Sequence, residues 1–328
     1  MENINKIILL LVPMSICNLR CQYCYLTHRD KYFENKQFKS EFSPEHVRKA
    51  LSKKRLGGVA YINVCAEGET LLADNIVEYI RQLLEEGHYI EVITNLTITS
   101  KLDEILQFDK ELLKKIEFKC SFHYLELKER KLLETFTDNV HKIWSRGSSA
   151  TIEIMSSDEY IPYIEEIKKF CLKNFGALPH VSIARNDASK DRGYLTKLSK
   201  EEYEKVWSSF ESELWEFKNS IFNKRITDFC YAGEVSLFVD LETGITKQCY
   251  RSNFIQNIFE DIEQPIIFKP IGECLQTHCY NGHAFLTMGC VKNFTSINYA
   301  DLRNRRAKHG NWLSQDLREF FTTKIIIK

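Results

Sequence analysis

Cys17-Asn18-Leu19-Arg20-Cys21-Gln22-Tyr23-Cys24 spaces its cysteines as C-x3-C-x2-C, just after the apolar run Ile7 to Val12. Three thiolates this close hold three irons of a [4Fe–4S] cluster and leave the fourth iron open. A cluster that only carries electrons closes all four irons with cysteines. An open iron at a strand end is a site for chemistry. The alternative is zinc, whose sites take paired C-x2-C knuckles. Here the first spacing is three, and no matching second knuckle follows nearby.

Working outward, 328 residues suffice for one large core plus a small second domain. A chain that is 44% hydrophobic and 27% charged is globular. Lys+Arg and Asp+Glu are both 45, so no global field favours nucleic acid or an acidic membrane. Ile7 to Val12 is too short to span a bilayer. It ends in Pro13 and the cysteine run, which does not suit a signal peptide. Eleven cysteines in a chain this size, with no signal, point to metal or redox use.

The first 190 residues alternate short apolar runs with amphipathic stretches. Strands are expected at Ile7–Val12, Val59–Val64, Tyr89–Thr94, Ile116–Phe122, Ala150–Met155 and Val181–Ala184. Ser43-Pro44 starts a helix as N-cap and first helical residue. Asn75–Glu86 has helical periodicity and stops at Gly87. Six β-α repeats argue for an α/β fold with a parallel sheet under helices, two strands short of a closed barrel. A doubly wound sheet fits the same pattern.

The cysteine run, with Tyr23 before its third cysteine, resembles the radical S-adenosylmethionine (SAM) superfamily. The resemblance implies an open (β/α)6 partial TIM barrel over residues 1–190. It implies that the open iron chelates SAM, and that one electron from the cluster splits it to give a hydrogen-abstracting 5′-deoxyadenosyl radical. The cofactor carries that chemistry and the protein orients it. Such a cluster is oxygen-labile, implying a reducing cytoplasm, and it needs a reductant such as flavodoxin or ferredoxin. Tyr23 would pack near the adenine. Cys65-Ala66-Glu67-Gly68-Glu69-Thr70 looks like the family's Gly-Gly-Glu-Pro motif for the SAM amino group, with Glu67 and Thr70 replacing the first glycine and the proline. Asn95 ends the third strand as in the family. Ser121 and Arg130 stand where relatives hold the SAM carboxylate, and Arg185 is a further candidate.

A parallel strand covered on both faces should be almost wholly apolar. The fourth is not: Ile116, Phe118, Cys120 and Phe122 alternate with Glu117, Lys119, Ser121 and His123. Alternate side chains face opposite ways, so the polar set should line the interior. The second strand turns Tyr61, Asn63 and Cys65 to that face, and the fifth turns Thr151, Glu153 and Met155. Buried charges persist when paired or given a ligand. Lys119 and Glu153 are therefore either a structural ion pair or a binding pair. His123 is an acid–base candidate or simply hydrogen-bonded.

Cys230, Cys249, Cys274, Cys279 and Cys290 fall late. Cys230 and Cys249 flank a C-x13-G-x4-C pattern with Gly244 in a hairpin turn. This resembles the start of the twitch and SPASM extensions, which bind auxiliary Fe–S clusters. Full SPASM has a longer cysteine run, so a twitch-like domain with one auxiliary cluster, a [4Fe–4S], is expected. Four ligands close it: Cys230, Cys249, Cys274 and Cys279, with Cys290 free or exchanging with Cys279. His278 or His283 is a substitute ligand, and zinc accepts the same thiolates. A spare thiol is a hydrogen-atom donor; Cys290 is the first candidate and Cys65 the second. Otherwise Cys65, Cys120 and Cys171 read as buried apolar thiols.

The expected organisation is 1–190 barrel, 191–226 linking helix, 227–292 auxiliary domain and 293–328 helical tail. The short stretch before Cys17 leaves no room for a leader-binding domain. The polar interior and the resemblance point to epimerisation or dehydrogenation of a small molecule, a carbohydrate or nucleotide sugar. A peptide maturase is the alternative, and a non-catalytic Fe–S electron carrier is the alternative of another class.

Overall fold

The computed structural model describes residues 2–29, 34–189, 192–280, 282–294, 296–308 and 310–327. Six parallel strands follow one another: β1 (Lys6–Val12), β2 (Ala60–Ala66), β3 (Tyr89–Thr94), β4 (Ile116–Ser121), β5 (Ser149–Met155) and β6 (His180–Ser182). They pair strictly in sequence order, 6-5-4-3-2-1. A doubly wound sheet reverses its order at a switch point; none occurs here. The neighbours of β1 are β2 and, on its other side, β7 (Ser236–Asp240), not β6. The barrel is therefore open.

The expected hairpin forms as β7 and β8 (Ile245–Lys247), followed by β9 (Ile255–Asn257), all antiparallel. It does not stand apart, because β7 runs parallel to β1 and extends the barrel sheet. Gly244 turns it at φ +75°, where a Cβ would lie 2.5 Å from Phe259 Cβ.

Outward-facing Ile8, Leu10, Ile62, Val64, Ile90, Val92 and Phe118 pack under the helices. The helix Ile76–Glu85 buries Ile76, Tyr79, Ile80, Leu83 and Leu84 on one face, the stripe that its 3.6-residue period predicts. The inward face has a second core at the strand N-terminal ends. Ile7, Leu9, Tyr61 and Tyr89 meet Tyr299, Leu317, Phe320 and Phe321 from the C-terminal helices Tyr299–Arg303 and Gln315–Thr322. Phe320 stacks on Tyr89 at 3.7 Å between ring centroids. Each such buried side chain contributes about 1.5–3 kcal/mol. The C-terminal tail thus floors the barrel.

The segment 191–226, expected as one linking helix, holds two helices, Lys200–Ser208 and Glu213–Ile221. Glu211 takes φ +51° between them, and Ser212 caps the second by accepting from Trp215 N at 3.2 Å. The break turns Glu213–Ile221 so that Lys218 reaches the barrel interior.

Candidate active site at the barrel mouth

Cys17, Cys21 and Cys24 line one cavity of about 420 Å3 that descends into the barrel. Their loop is pinned from the opposite strand ends. Asn95 Nδ2 donates to Asn18 Oδ1 at 2.8 Å, and Asn18 Nδ2 donates to Thr97 Oγ1 at 2.7 Å. Thr27 Oγ1 donates to the Cys21 carbonyl at 2.9 Å. The loop after β2 grips the entry strand, with Gly68 N bonded to Met14 O at 2.8 Å and Glu69 N to Ile16 O at 2.9 Å. A Cβ at Gly68 would lie 2.0 Å from Ile16 O, so the approach excludes every other residue.

Glu69 is buried and spends both oxygens inside this scaffold: Oε1 accepts from Thr94 Oγ1 (2.6 Å) and Leu71 N (3.0 Å), and Oε2 from Asn95 N (2.7 Å). Glu67 offers its carbonyl to Tyr25 Oη at 2.7 Å. The described cysteines form no disulfide. Burial raises the Cys17 thiol to about 12. Burial this deep does not favour thiolates by itself, whereas iron stabilises them. The donor set therefore fits a cluster with three cysteine ligands.

Tyr23 forms the side wall. Its hydroxyl shares hydrogen bonds with His123 Nδ1 (2.6 Å) and Tyr160 Oη (2.8 Å). Burial pushes His123 down to about 4. It is a neutral hydrogen-bonding partner at neutral pH.

Below lies a lattice of buried charges. Register sets Asn63 beside Glu91, Glu91 beside Glu117, and Ser121 beside Glu153. The expected Lys119–Glu153 ion pair is present at 3.4 Å, but it belongs to a larger set. Arg303, from the C-terminal tail, is fully buried. It donates to Glu117 Oε1 from Nε (3.1 Å) and Nη2 (2.6 Å), to Thr151 Oγ1 (2.6 Å), and to Glu153 Oε1. Glu91 accepts from Tyr61 Oη at 2.9 Å and from Asn63 Nδ2. Lys218 Nζ donates to Ser182 Oγ at 2.7 Å, and Ser182 donates to Glu153 Oε2 at 2.5 Å.

These contacts separate the carboxylates. Burial alone would raise Glu153, but Lys119, Lys218 and Arg303 outweigh it and hold it well below the usual range. Burial raises Glu117 despite Arg303. Burial lowers Lys218 to about 8, with Glu153 opposing.

Residues 11–126 match the family model of the radical SAM superfamily. This segment is a radical SAM domain. No curated protein matches the sequence. Among solved structures, anSMEcpe with bound AdoMet and Kp18Cys peptide is 14% identical with a TM-score of 0.55, covering 96% of both chains. Streptococcus suis SuiB bound to precursor peptide SuiA is 15% identical with a TM-score of 0.52, over 79% of this chain and 63% of SuiB. SuiB bound to S-adenosylmethionine is similar at a TM-score of 0.51, 15% identity, 79% of this chain and 64% of that one. This chain spans under two thirds of the SuiB length. At these identities the likeness is one of fold. Among the described residues no helix is long and apolar enough to cross a membrane.

Around the radical SAM domain, most residues singled out from sequence converge on the cavity: Tyr23, Cys65, Glu67, Gly68, Glu69, Asn95, Lys119, Ser121, His123, Glu153 and Arg185 line it. Arg130 does not; it is exposed and held by Glu126 Oε2 at 2.9 Å. Cys120 and Cys171 are fully buried, whereas Cys65 is half-buried and faces the cavity. Among the late cysteines, Cys230, Cys249 and Cys274 are mutual neighbours, each close enough to raise another's thiol. Cys279 lines the cavity. Cys290 is fully buried behind it, near Cys230, Cys279 and Cys249, and does not line it. His278 and His283 both line the cavity.

Sequence reasoning missed Glu91, Lys218, Tyr299 and Arg303. Glu91 was findable as the lone charge in an otherwise apolar strand. Arg303 carried no local signal.

Proposed function

We propose that this chain reductively cleaves SAM and abstracts hydrogen from a polar small molecule, a carbohydrate or nucleotide sugar, for dehydrogenation or epimerisation. The observation that carries this reading is the set of buried and half-buried polar groups under the cysteine trio: Asn63, Lys119, Ser121, Glu153 and Lys218 all line the same cavity. Such groups, though largely paired among themselves, keep donor and acceptor capacity that hydroxyls can meet and an apolar substrate cannot. When bound, the cluster on Cys17, Cys21 and Cys24 with SAM supplies hydrogen-atom abstraction. Tyr23 walls the SAM side, and the Gly68-Glu69 loop and Asn95 shape the pocket for its amino-acid end. Ser121 is the remaining group for its carboxylate.

Lys218 Nζ is the group suited to take a hydroxyl proton, since a lysine near 8 exchanges protons at working pH. Cys65 is the thiol best disposed to return a hydrogen atom, since it faces the cavity and Cys290 does not. We assign Cys230, Cys249 and Cys274 to one auxiliary Fe–S cluster, closed by Cys279 or Cys290, and 227–292 to the segment that holds it. A flavodoxin or ferredoxin would reduce the enzyme.

Anaerobic reconstitution with iron and sulfide, then SAM and dithionite, tests the reading. 5′-Deoxyadenosine and methionine are expected; neither would form on a mere electron carrier. With nucleotide sugars in D2O, deuterium in an isobaric product means epimerisation, and loss of two mass units means dehydrogenation. A peptide substrate is the second reading, favoured by the peptides bound in the SuiB and anSMEcpe structures.

A further inference from the structure

We propose that the cavity mouth is a diphosphate-binding subsite built from Arg185, Arg192 and Arg251 around Tyr280, a proposal that rests on the nucleotide-sugar reading above. The three guanidinium carbons lie 5.8, 5.4 and 5.8 Å from the Tyr280 ring centroid. They come from separate segments: Arg185 and Arg192 follow β6, and Arg251 follows β8. Cations gathered on one ring repel one another. A cation–π contact returns only about 0.5–2 kcal/mol.

Among the described residues, one carboxylate answers them. Asp187 is buried and shared, 3.8 Å from Arg192, 4.0 Å from Arg185 and 3.1 Å from Arg29. Arg251 Nε reaches only the neutral Gln276 Oε1, at 3.2 Å. Among the described residues three guanidiniums thus share one carboxylate and Arg251 bonds a neutral amide, a surplus of positive charge beside an opening. The floor of the same cavity is balanced, with Lys119, Lys218 and Arg303 against Glu91, Glu117 and Glu153. The surplus is local to the mouth.

Guanidinium forks match phosphate oxygens in pairs. A single carboxylate offers too few oxygens for this many forks, and Asp187 already supplies one. A diphosphate brings adjoining charged groups and more acceptors. Arg185, Asp187 and Tyr280 line the cavity that also holds Asn63, Lys119 and Lys218. A diphosphate held at the mouth would direct its sugar into the polar interior below the cysteine trio.

Isothermal titration of the reconstituted protein with inorganic pyrophosphate, at low ionic strength and without SAM, tests this. Saturable binding is expected, weakened by salt. It should fall about tenfold or more in Arg251→Gln and further in the Arg185→Ala/Arg251→Gln pair. UDP should bind at least as tightly as pyrophosphate. Arg251 is exposed, so the single variant should keep its circular dichroism spectrum. Equal affinity in the wild type and both variants overturns the subsite, as does no binding, or preference for a peptide carboxylate over pyrophosphate. SAM cleavage is read separately. Cleavage without pyrophosphate binding removes the subsite alone, and binding without cleavage removes the reaction alone.

Discussion

Cys17, Cys21 and Cys24 lie in one short loop, whereas Cys230, Cys249, Cys274, Cys279 and Cys290 are spread over separate segments. The early loop is locked from outside by Gly68, Asn95 and Thr97 on neighbouring strand ends. The late region has little regular structure: β8 and β9 have three residues each, and Ile255, Ile267 and Leu275 stay 58%, 56% and 77% exposed. Exposed apolar side chains and short strands mark low local stability. A metal site in such a region draws its order from the metal as much as from packing. The early site is built by the fold, and the proposed late one would depend on what it binds.

The largest effect should separate the two regions outright. Alanine at Cys17, Cys21 or Cys24 should reduce 5′-deoxyadenosine formation to background. Alanine at Cys230 or Cys249 should lower iron content and open the late region to protease while SAM cleavage continues. Equal loss of cleavage in both sets would break the comparison.

Next in size is the lattice that supports the early site. Arg303→Met should cost about 3–5 kcal/mol in urea unfolding, because it strands buried Glu117 without its partner and leaves Glu153 to Lys119 and Lys218. Adding Glu117→Leu should recover part of the loss, since removing both charges is cheaper than removing one. No recovery would mean that Arg303 acts by packing alone.

Gly68→Ala should cost about 1–3 kcal/mol by overpacking against the Ile16 carbonyl, and should reduce iron loading at the early site. Unchanged loading would show that the loop grip is dispensable.

The smallest effect is in pH. Lys218 is near 8 in the fold and 10.5 in the free side chain. Between those values the unfolded chain binds the extra proton, so stability rises with pH. Wild type should therefore gain stability relative to Lys218→Met from about pH 8 to pH 10.5, read as a shift in urea midpoint. A flat difference would place Lys218 in solvent.

Much of the early site was legible because its signals are local. The spacing of Cys17, Cys21 and Cys24 names a cluster without reference to any other residue. Alternation in Ile116–Phe122 turned Lys119 and His123 inward, and both line the cavity. Cys65 likewise faced inward by parity. The single linking helix expected over 191–226 was misread because Ser212 caps a new helix, a signal as plain as Ser43-Pro44 but set inside a continuous amphipathic pattern.

By itself, then, the sequence determined the cluster loop, the order of the β-α units and the face that each strand turns to the interior. These depend on spacing and on a two-residue period, which neighbours along the chain decide. Tertiary structure alone decided that Arg303 would close the charge lattice on Glu117, that β7 would extend the sheet beside β1, and that Lys218 would sit beside Glu153. It alone gathered Arg185, Arg192 and Arg251 on Tyr280. A charge far along the chain leaves no periodic trace of its partner, because electrostatic pairing depends on distance in space, and only the packed topology sets that distance.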